Sequence, residues 1–280
     1  MFKNVRAAFI LASLACVAFS TPSVAQQHPS SDEIMRQLES LNWIRPGSIG
    51  RIADKAEFVA SDKYTYLNSR DTNTYLELNG NPPRPEPYAV ATREGNWWAI
   101  LEFEHEGYVK DDEKIDASAL LNALKEANVV ANEQRRSAGY PSLHLEGWQF
   151  PPRYDPATNR LEWGTRFVDD QGQPVVNVST KLLGRSGYTT VTLVTSPQTV
   201  NEDLVDFKHA LRNFEYVDGE KYSEWKQGDR VAAYGLGALV LGGAAAVATS
   251  KGGFKIVGAA ILAALAGLWA GVKRLFGKKK

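Results

Sequence analysis

The chain has 280 residues, of which 44% are hydrophobic, and its 32 Lys and Arg side chains balance 32 Asp and Glu. This length is sufficient for one domain with a hydrophobic core. Residues 26–230 contain every acidic residue but only 23 of the basic ones, a net charge of −9, so the two ends are basic. The acidic middle argues against nucleic acid as a partner, because phosphate binding needs a basic surface.

The N-terminus has the three parts of a secretory signal peptide. Lys3 and Arg6 precede the apolar run AAFILASLACVAFS, and Ser23 and Ala25 mark a small-residue exit. Residues 1–25 are therefore predicted to be removed on export. An uncleaved anchor helix and lipidation of Cys16 are the alternatives. Because Cys16 is the single cysteine, the exported chain would have no disulfide, no thiolate metal site and no cysteine nucleophile.

Residues 26–217 are predicted to form one exported α+β domain, with helices packed on a mainly antiparallel sheet. In chain order, the pattern first predicts an amphipathic helix at 31–42, short strands in GRIADKAEFVAS and KYTYLN, and a helix in SRDTNTYLEL. A proline-rich loop at 80–87, a hairpin that turns at 94–96 and a long helix at 117–138 follow. The last predicted elements are strands in SLHLEGWQF, RLEWGTRFVD, PVVNVSTKLLG and YTTVTLVTS, a helix at about 198–212 and a strand in NFEYV.

Residues 218–230 are predicted to link this domain to a membrane anchor within residues 231–273. The apolar run at 256–272, with its basic flanks, is long enough to cross a bilayer. The Gly- and Ala-rich run at 231–250 is a candidate second span. A single span would leave the basic tail, residues 274–280, in the cytoplasm, which the positive-inside rule favours. Small residues at every fourth position in both runs favour a helical hairpin of 231–250 and 254–273, and we prefer the hairpin.

Common catalytic motifs are absent from the sequence. It has no P-loop, no dinucleotide-binding glycine fingerprint and no HExxH, and its four histidines lie beside no recognisable nucleophile motif. We therefore expect no catalytic residue, no metal site and no cofactor.

The densest cluster of charge lies in GYVKDDEKIDASALL at 107–121. Asp116 is expected to cap the long helix, and Glu113 lies near the positive end of the helix dipole. An EF-hand is excluded, because the glycine and the terminal Glu of its loop are missing. Capping does not explain Asp111 and Asp112, which precede the first helical turn and are candidates for binding.

Aromatic side chains offer a second kind of candidate. The segment GWQFPPRYD with Trp163, and the pair Trp97 and Trp98, either form a ligand platform or belong to the core. Arg135, at the end of the long helix, is suited to the negative end of the helix dipole and needs no ligand for that role.

Four motifs in order, GYVKDDEKIDASALLNALKEANVVANEQRRSAGY, GWQFPPRYDPATNRLEWGTRF, VNVSTKLLGRSGY and RVAAYGLGALVLGG, together resemble the bacterial family of predicted membrane-anchored proteins called domain of unknown function 2167. The matching positions are Gly107, Tyr108, Lys110, Asp111, Asp112, Asn132, Arg135, Gly147, Trp148, Pro152, Tyr154, Asp155, Trp163, Asn177, Leu183, Gly184, Arg185 and Gly187. The resemblance implies export and a membrane anchor but supplies no activity. The closing elements are also similar to the PsbP/Mog1-like α/β/α sandwich, at the level of the fold only.

The sequence thus favours a non-enzymatic envelope protein in the cytoplasmic membrane, anchored by its C-terminus, with its domain in the periplasm or outside the cell. Its partners would be the lipid bilayer, through residues 231–273, and another envelope protein. The candidate binding residues are Asp111, Asp112, Arg135, Trp148, Tyr154, Asp155 and Arg185. A hydrolase or metal-assisted enzyme built on Asp111, Asp112 and Asp155, and a structural subunit of a membrane complex, are the alternatives.

Overall fold

The structure, a computed structural model, describes residues 31–79, 81 and 83–243. The predicted signal peptide and the predicted span at 254–273 lie outside these residues. Within the described ranges, no helix combines the length and the hydrophobicity needed to cross a bilayer.

Five α-helices and ten strands make up the described chain. The helices are α1 (Ser31–Glu39), α2 (Ser69–Leu78), α3 (Ala117–Ser137), α4 (Val200–Ala210) and α5 (Leu236–Val240). The strands are β1 (Ile49–Ile52), β2 (Ala56–Val59), β3 (Tyr64–Leu67), β4 (Tyr88–Thr92), β5 (Trp98–Glu104), β6 (Leu143–Asp155), β7 (Arg160–Asp169), β8 (Pro174–Leu183), β9 (Tyr188–Thr195) and β10 (Phe214–Tyr216).

The strands form two antiparallel sheets. The large sheet has seven strands in the order β3-β4-β5-β9-β8-β7-β6, and the small sheet has three in the order β1-β2-β10. Every pair of neighbouring strands is antiparallel. The predicted α+β class and mainly antiparallel sheet are therefore confirmed.

Both faces of the large sheet are covered, because alternate side chains of each strand point to opposite sides. One face, here called the α2–α3 face, packs against α2 near β4 and β5 and against α3 near β6 and β7. The opposite face packs against the small sheet and α4 through a core that includes Phe58, Leu101, Leu193 and Phe207.

The long helix α3 begins where the sequence predicts. The Asp116 carboxylate accepts hydrogen bonds from the backbone N–H groups of Ser118 and Ala119, at 3.0 Å each, which is the geometry of an N-cap. Leu120 and Leu124 are buried on its inner side. Helix α2 is capped by Asn68, whose side chain accepts a hydrogen bond from the N–H of Asp71.

Residues 218–243 pack on the domain, which differs from the predicted linker and from the start of a first span. The chain forms β-bridges from Lys221 to Gly184 and from Val231 to Tyr108. The described part of the run at 231–250 contains the five-residue helix α5, and its apolar side chains are buried against the large sheet. The physical reason is hydrophobic burial, since Leu236, Leu239 and Val240 pack in one core cluster with Leu183 and Tyr188.

Candidate functional site

The acidic motif contributes one specific contact. The Tyr154 hydroxyl donates a hydrogen bond of 2.8 Å to the Asp111 carboxylate. Burial, followed by the Asp111 carboxylate, raises the pKa of Tyr154 above its ordinary value. Asp112 is exposed and makes no hydrogen bond or ion pair with any described residue. The structure therefore joins two of the predicted site residues, Asp111 and Tyr154, and leaves Asp112 apart.

Glu113 has a role that differs from its predicted one. Its carboxylate accepts a 2.9 Å hydrogen bond from the backbone N–H of Gly237, at the start of α5 rather than of α3. Space for this carboxylate exists because Gly235 and Gly237 carry no side chain. The acidic motif thus helps to hold the C-terminal segment.

A docking seat, formed by Gly107, Tyr108, Gly184 and Arg185 and supported from behind by Gly187, holds residues 218–232. The backbone N–H of Tyr108 donates to the carbonyl of Arg230, and the carbonyl of Tyr108 accepts from the N–H of Ala232, at 2.9 Å each. The N–H of Arg185 donates to the carbonyl of Glu220 at 2.8 Å.

Two glycines of the seat allow backbones to approach closely. Gly107 has φ +90°, and a Cβ there would lie 2.7 Å from the carbonyl oxygen of Arg230. A Cβ at Gly187 would collide with the carbonyl oxygen of Glu104. Larger residues at either position would push the strands apart.

Arg185 is held by an ion pair within the protein. Its guanidinium donates to both carboxylate oxygens of Asp229, at 2.7 and 2.8 Å, and to the carbonyl of Gly219 at 3.1 Å. The hydrogen bonds from Arg185 hold the pKa of Asp229 at about 2. Since this fork is already paired, Arg185 fixes the C-terminal segment, and its predicted role as a ligand-binding group is not supported by the geometry.

Three other predicted site residues stabilise local structure. Arg135 Nε donates to the carbonyl of Pro141 at 2.6 Å, and Trp148 Nε1 donates to the carbonyl of Ala117 at 3.1 Å. The Asp155 carboxylate accepts from the Thr158 hydroxyl at 2.7 Å and from the N–H of Ala157 at 3.0 Å, which lowers its pKa. These groups secure both ends of α3 and the turn between β6 and β7.

The geometry does not assemble the three-carboxylate site of the enzyme alternative. The carboxylate of Asp155 is used by its own turn, Asp111 accepts from Tyr154, and Asp112 points to solvent. Among the described residues, no group of three or more His, Cys, Asp or Glu side chains is arranged to hold a metal ion.

An aromatic stack beside the seat was missed by the sequence reasoning. The Tyr222 ring stacks on Tyr108 with a centroid distance of 4.5 Å, and Trp225 lies 5.3 Å from Tyr108 on a tilted plane. Both Tyr222 and Trp225 come from the segment predicted to be a linker. The polar composition of residues 218–230 gives no indication in the sequence that these two rings pack on the domain.

A cleft of about 660 Å³ lies at the opposite end of β5 and β9. It is lined by Met35, Leu38, Glu39, Trp43, Thr65, Tyr75, Asn79, Ala91, Thr92, Arg93, Glu94, Gly95, Asn96, Trp97, Trp98, Val194, Thr195, Ser196 and Thr199. These residues come from α1, α2, the β4–β5 hairpin, β3 and the segment that joins β9 to α4. Only the Trp97–Trp98 pair gave a signal for this site in the sequence.

Three aromatic rings form the apolar wall of this cleft. The centroids of Trp43 and Tyr75 are 5.8 Å apart, and those of Tyr75 and Trp98 are 5.1 Å apart, both in edge-to-face geometry. The Trp43 indole donates to the carbonyl of Leu38 at 2.9 Å, which fixes its ring. Trp97 points to the other face, where its indole donates to the Asp206 carboxylate at 3.0 Å. The two tryptophans therefore lie on opposite faces of the sheet, with the Trp98 ring in the wall of the cleft and the Trp97 ring in the core.

A buried lysine lies between the cleft and the seat. Lys181 is 2% exposed, its Nζ donates to the Thr190 hydroxyl at 2.7 Å, and it lies 4.9 Å from the centroid of the Tyr188 ring. Burial lowers the pKa of Lys181 to about 8, although Glu104 and Glu102 oppose this shift. Glu102 is in turn paired with Arg84. The charged side chains of Lys181, Glu102 and Glu104 thus form a row across the middle of the large sheet.

A family model described as "Protein of unknown function (DUF2167)" matches residues 44–273. The chain belongs to this family. No curated protein matches the DUF2167 chain. Of the motif residues singled out in the sequence, Gly107, Tyr108, Gly184 and Arg185 contact the C-terminal segment in this structure.

Two solved structures are similar to this DUF2167 protein at 10% identity. One is the cyanobacterial PsbP (CyanoP) of Synechocystis sp. PCC 6803, covering 62% of this chain and 95% of its own with a TM-score of 0.33. The other is PA94 of Pseudomonas aeruginosa, a protein of unknown function, covering 60% and 95% with a TM-score of 0.25. Both TM-scores are too low to establish a shared fold.

Proposed function

We propose that this DUF2167 protein is a non-enzymatic, membrane-anchored envelope protein whose domain binds another envelope component in the aromatic cleft. The observation that carries the proposal is the cleft itself, a space of about 660 Å³ walled by Trp43, Tyr75 and Trp98. Concave, mostly apolar sites with a few polar groups at the edge are typical of ligand binding.

The rim of the cleft supplies polar groups around this apolar wall. Glu39, Arg93, Glu94 and Asn96 line it and are exposed. Aromatic rings give a binding surface that loses little side-chain entropy, and the polar rim orients what enters. A component that inserts a flat apolar group between the rings would fit this arrangement.

The cleft and the docking seat lie at opposite ends of the same two strands. β5 runs from Trp98 at the cleft to Glu104 near the seat, and β9 runs back from Tyr188 to Thr195. At about 3.3 Å per residue, seven residues separate the two regions by roughly 20 Å. A C-terminal tether that starts at the seat would therefore leave the cleft accessible.

Export and anchoring form the second part of the proposal. They are supported by the signal-peptide pattern in residues 1–25, by the apolar run at 256–272 and by the net charge of −9 between them. We place the protein in the cytoplasmic membrane, anchored through the apolar run at 256–272, with the domain in the periplasm or outside the cell. We also propose a PsbP/Mog1-like α/β/α sandwich, supported by helices α2 and α3 on one face and α4 on the other.

Site-specific crosslinking in living cells tests the binding part. A photoreactive amino acid replaces Met35, which lines the cleft, or Val129, which is 61% exposed on α3 and serves as the control. We expect a covalent adduct from position 35, reduced at least about tenfold by Trp43→Ala, and none from position 129. Equal adducts at both positions, or none at 35, would contradict the proposal.

Cysteine labelling tests the location. Cys16 is the only cysteine and lies in the predicted signal peptide, so Ser118→Cys or Lys279→Cys introduces a unique thiol. A membrane-impermeant maleimide added to cells with a permeable outer layer should label position 118. Labelling at 279 would support the hairpin, and its absence, with labelling after lysis, would support a single span.

A further inference from the structure

Two exposed apolar side chains lie on the segment that occupies the docking seat. Trp225 and Val231 are each 39% exposed. Both lie beside Tyr108, because the Trp225 ring is 5.3 Å from the Tyr108 ring and Val231 forms a β-bridge with Tyr108. A group of exposed apolar side chains marks an interaction surface more often than a single one does. These two residues, together with Lys226 and Arg230, are here called the Trp225 patch.

The acids of this segment bond within the protein, whereas two of its cations face solvent. Asp229 is held by the Arg185 fork, and the Glu224 carboxylate accepts from two preceding backbone N–H groups at 2.8 and 2.9 Å. Lys226 and Arg230 are exposed, and neither forms an ion pair with a carboxylate of the described residues. The Trp225 patch is therefore apolar and basic, although residues 26–230 carry a net charge of −9.

The chain continues toward the predicted anchor from the same end of the domain. Gly243, the last residue that the structure describes, packs against the hydroxyl of Tyr188, which begins β9 at the seat end. Twelve residues, 244–255, separate Gly243 from the apolar run at 256–272. Because a fully extended chain covers at most about 3.5 Å per residue, this stretch reaches no further than about 45 Å. An anchor at 256–272 would therefore keep the seat end near the bilayer.

We propose that the Trp225 patch rests on the surface of the bilayer in which the chain is anchored. Trp225 and Val231 enter the headgroup region, where the amphipathic ring of tryptophan is favoured. Lys226 and Arg230 bind anionic lipid headgroups, as basic residues close to a membrane anchor do. The cleft, at the far ends of β5 and β9, then faces away from the membrane. The inference rests on the proposed function, because it needs residues 256–272 to hold the chain at a bilayer.

Fluorescence quenching in vesicles tests this contact. The full-length chain carries Cys16→Ser, and either Gln227→Cys, next to the Trp225 patch, or Glu94→Cys, at the rim of the cleft, supplies one thiol for a fluorescent label. The vesicles contain phosphatidylcholine, phosphatidylglycerol and a fraction of lipid with a spin-labelled headgroup. We expect loss of fluorescence from position 227 and none from position 94, because only the first lies at the bilayer surface.

Two changes show which groups make the contact. Trp225→Ser should reduce the loss of fluorescence at position 227, whereas Val205→Ser, the control at a side chain 59% exposed on α4, should leave it unchanged. Vesicles without phosphatidylglycerol should also reduce the loss, because Lys226 and Arg230 then meet no anionic headgroup. An unchanged loss in these vesicles would overturn the role of the two cations.

The outcomes separate the inference from the proposed anchor, because flotation with the vesicles reports the anchor alone. If the protein floats and position 227 is not quenched, the inference is overturned, the anchor stands, and a protein is the better candidate for the Trp225 patch. Equal quenching at 227 and 94 also overturns it, since the domain would then have no fixed side toward the bilayer. Failure to float counts against the anchor and so against both. If Trp225→Ser fails to fold, the comparison of positions 227 and 94 still decides.

Discussion

The two ends of strands β5 and β9 differ in how closely their surroundings are packed. At the seat, Gly107 and Gly187 let backbones meet, and the fork of Arg185 is fully occupied by Asp229 and Gly219. At the other end, bulky rings surround about 660 Å³ of open space. The closed end uses its interactions to hold the chain's own C-terminal segment, whereas the open end leaves interactions available for another molecule.

Side-chain size explains the contrast. A position without a Cβ allows close backbone contact and leaves no room for a ligand. Trp43, Tyr75 and Trp98 meet edge to face, and rigid rings in that geometry do not fill the concave space between α1, α2 and the β4–β5 hairpin. We infer that variants at the seat will affect stability first, and that variants in the cleft will affect binding.

The largest effect is expected from Gly187→Ala. The new methyl group would collide with the carbonyl oxygen of Glu104, and neither backbone can move without disturbing the β5–β9 ladder. We expect a loss of about 3 kcal/mol in the free energy of unfolding, measured by denaturant titration of the full chain. The matched control is Gly147→Ala, since a Cβ there meets nothing within 4 Å and should change stability by less than about 0.5 kcal/mol. Similar losses at both positions would show that the seat is no tighter than the rest of the sheet.

Much of the fold could be predicted because it is encoded locally. The period-two pattern of YTTVTLVT gives β9, and Asp116 before an apolar periodic run gives the start of α3. The seat could not be predicted in this way. Its contacts join positions near 107, 185 and 230, which are far apart in the chain, and the polar segment 218–230 has no periodicity that would reveal them.

The candidate site was predicted only in part, for a similar reason. Asp111 and Tyr154 were selected as an acid and an aromatic in separate motifs, and they do meet. Arg185, Arg135 and Asp155 are candidates because they lie in the motifs that resemble the family, and a motif does not show whether a charged group is already paired. The cleft draws on α1, α2, the β4–β5 hairpin and β9, and no single stretch of the sequence shows that these elements enclose one space.

The charged row between the two ends should make stability depend on pH. The pKa of Lys181 is about 8 in the folded protein, below its ordinary 10.5, so its protonated form opposes folding. This destabilisation is complete below pH 8 and is relieved as the pH rises toward 10.5. From pH 7.5 to 9.5 we expect the deprotonation of Lys181 to raise the unfolding free energy by about 2 kcal/mol, read as the difference between wild type and Lys181→Met. The raised pKa values of buried tyrosines such as Tyr188 act in the opposite direction as the pH approaches 10, and they act alike in wild type and in Lys181→Met, so the difference between the two isolates Lys181.

Lys181→Met provides the control for this pH dependence. Its side chain is of similar length and carries no proton to lose, and replacing a buried charge with an apolar group is often neutral or stabilising. The rise between pH 7.5 and 9.5, followed by denaturant titration, should be absent in this variant. A rise of equal size in Lys181→Met would assign the pH dependence to other groups.

The smallest effects on stability are expected in the acidic motif, where Asp111 accepts a hydrogen bond from Tyr154 and Asp112 accepts none from a described residue. Tyr154→Phe removes the hydroxyl that donates to Asp111, and we expect a loss of about 1 kcal/mol in unfolding free energy, because the bond is only partly buried. Asp112→Ala removes a carboxylate that is exposed and pairs with no described residue, so its effect on stability should stay within about 0.5 kcal/mol. Both variants should crosslink from position 35 as wild type does, since neither residue lines the cleft. Loss of the adduct in Asp112→Ala would place binding at the seat end and would reverse the division of labour between the two ends of β5 and β9.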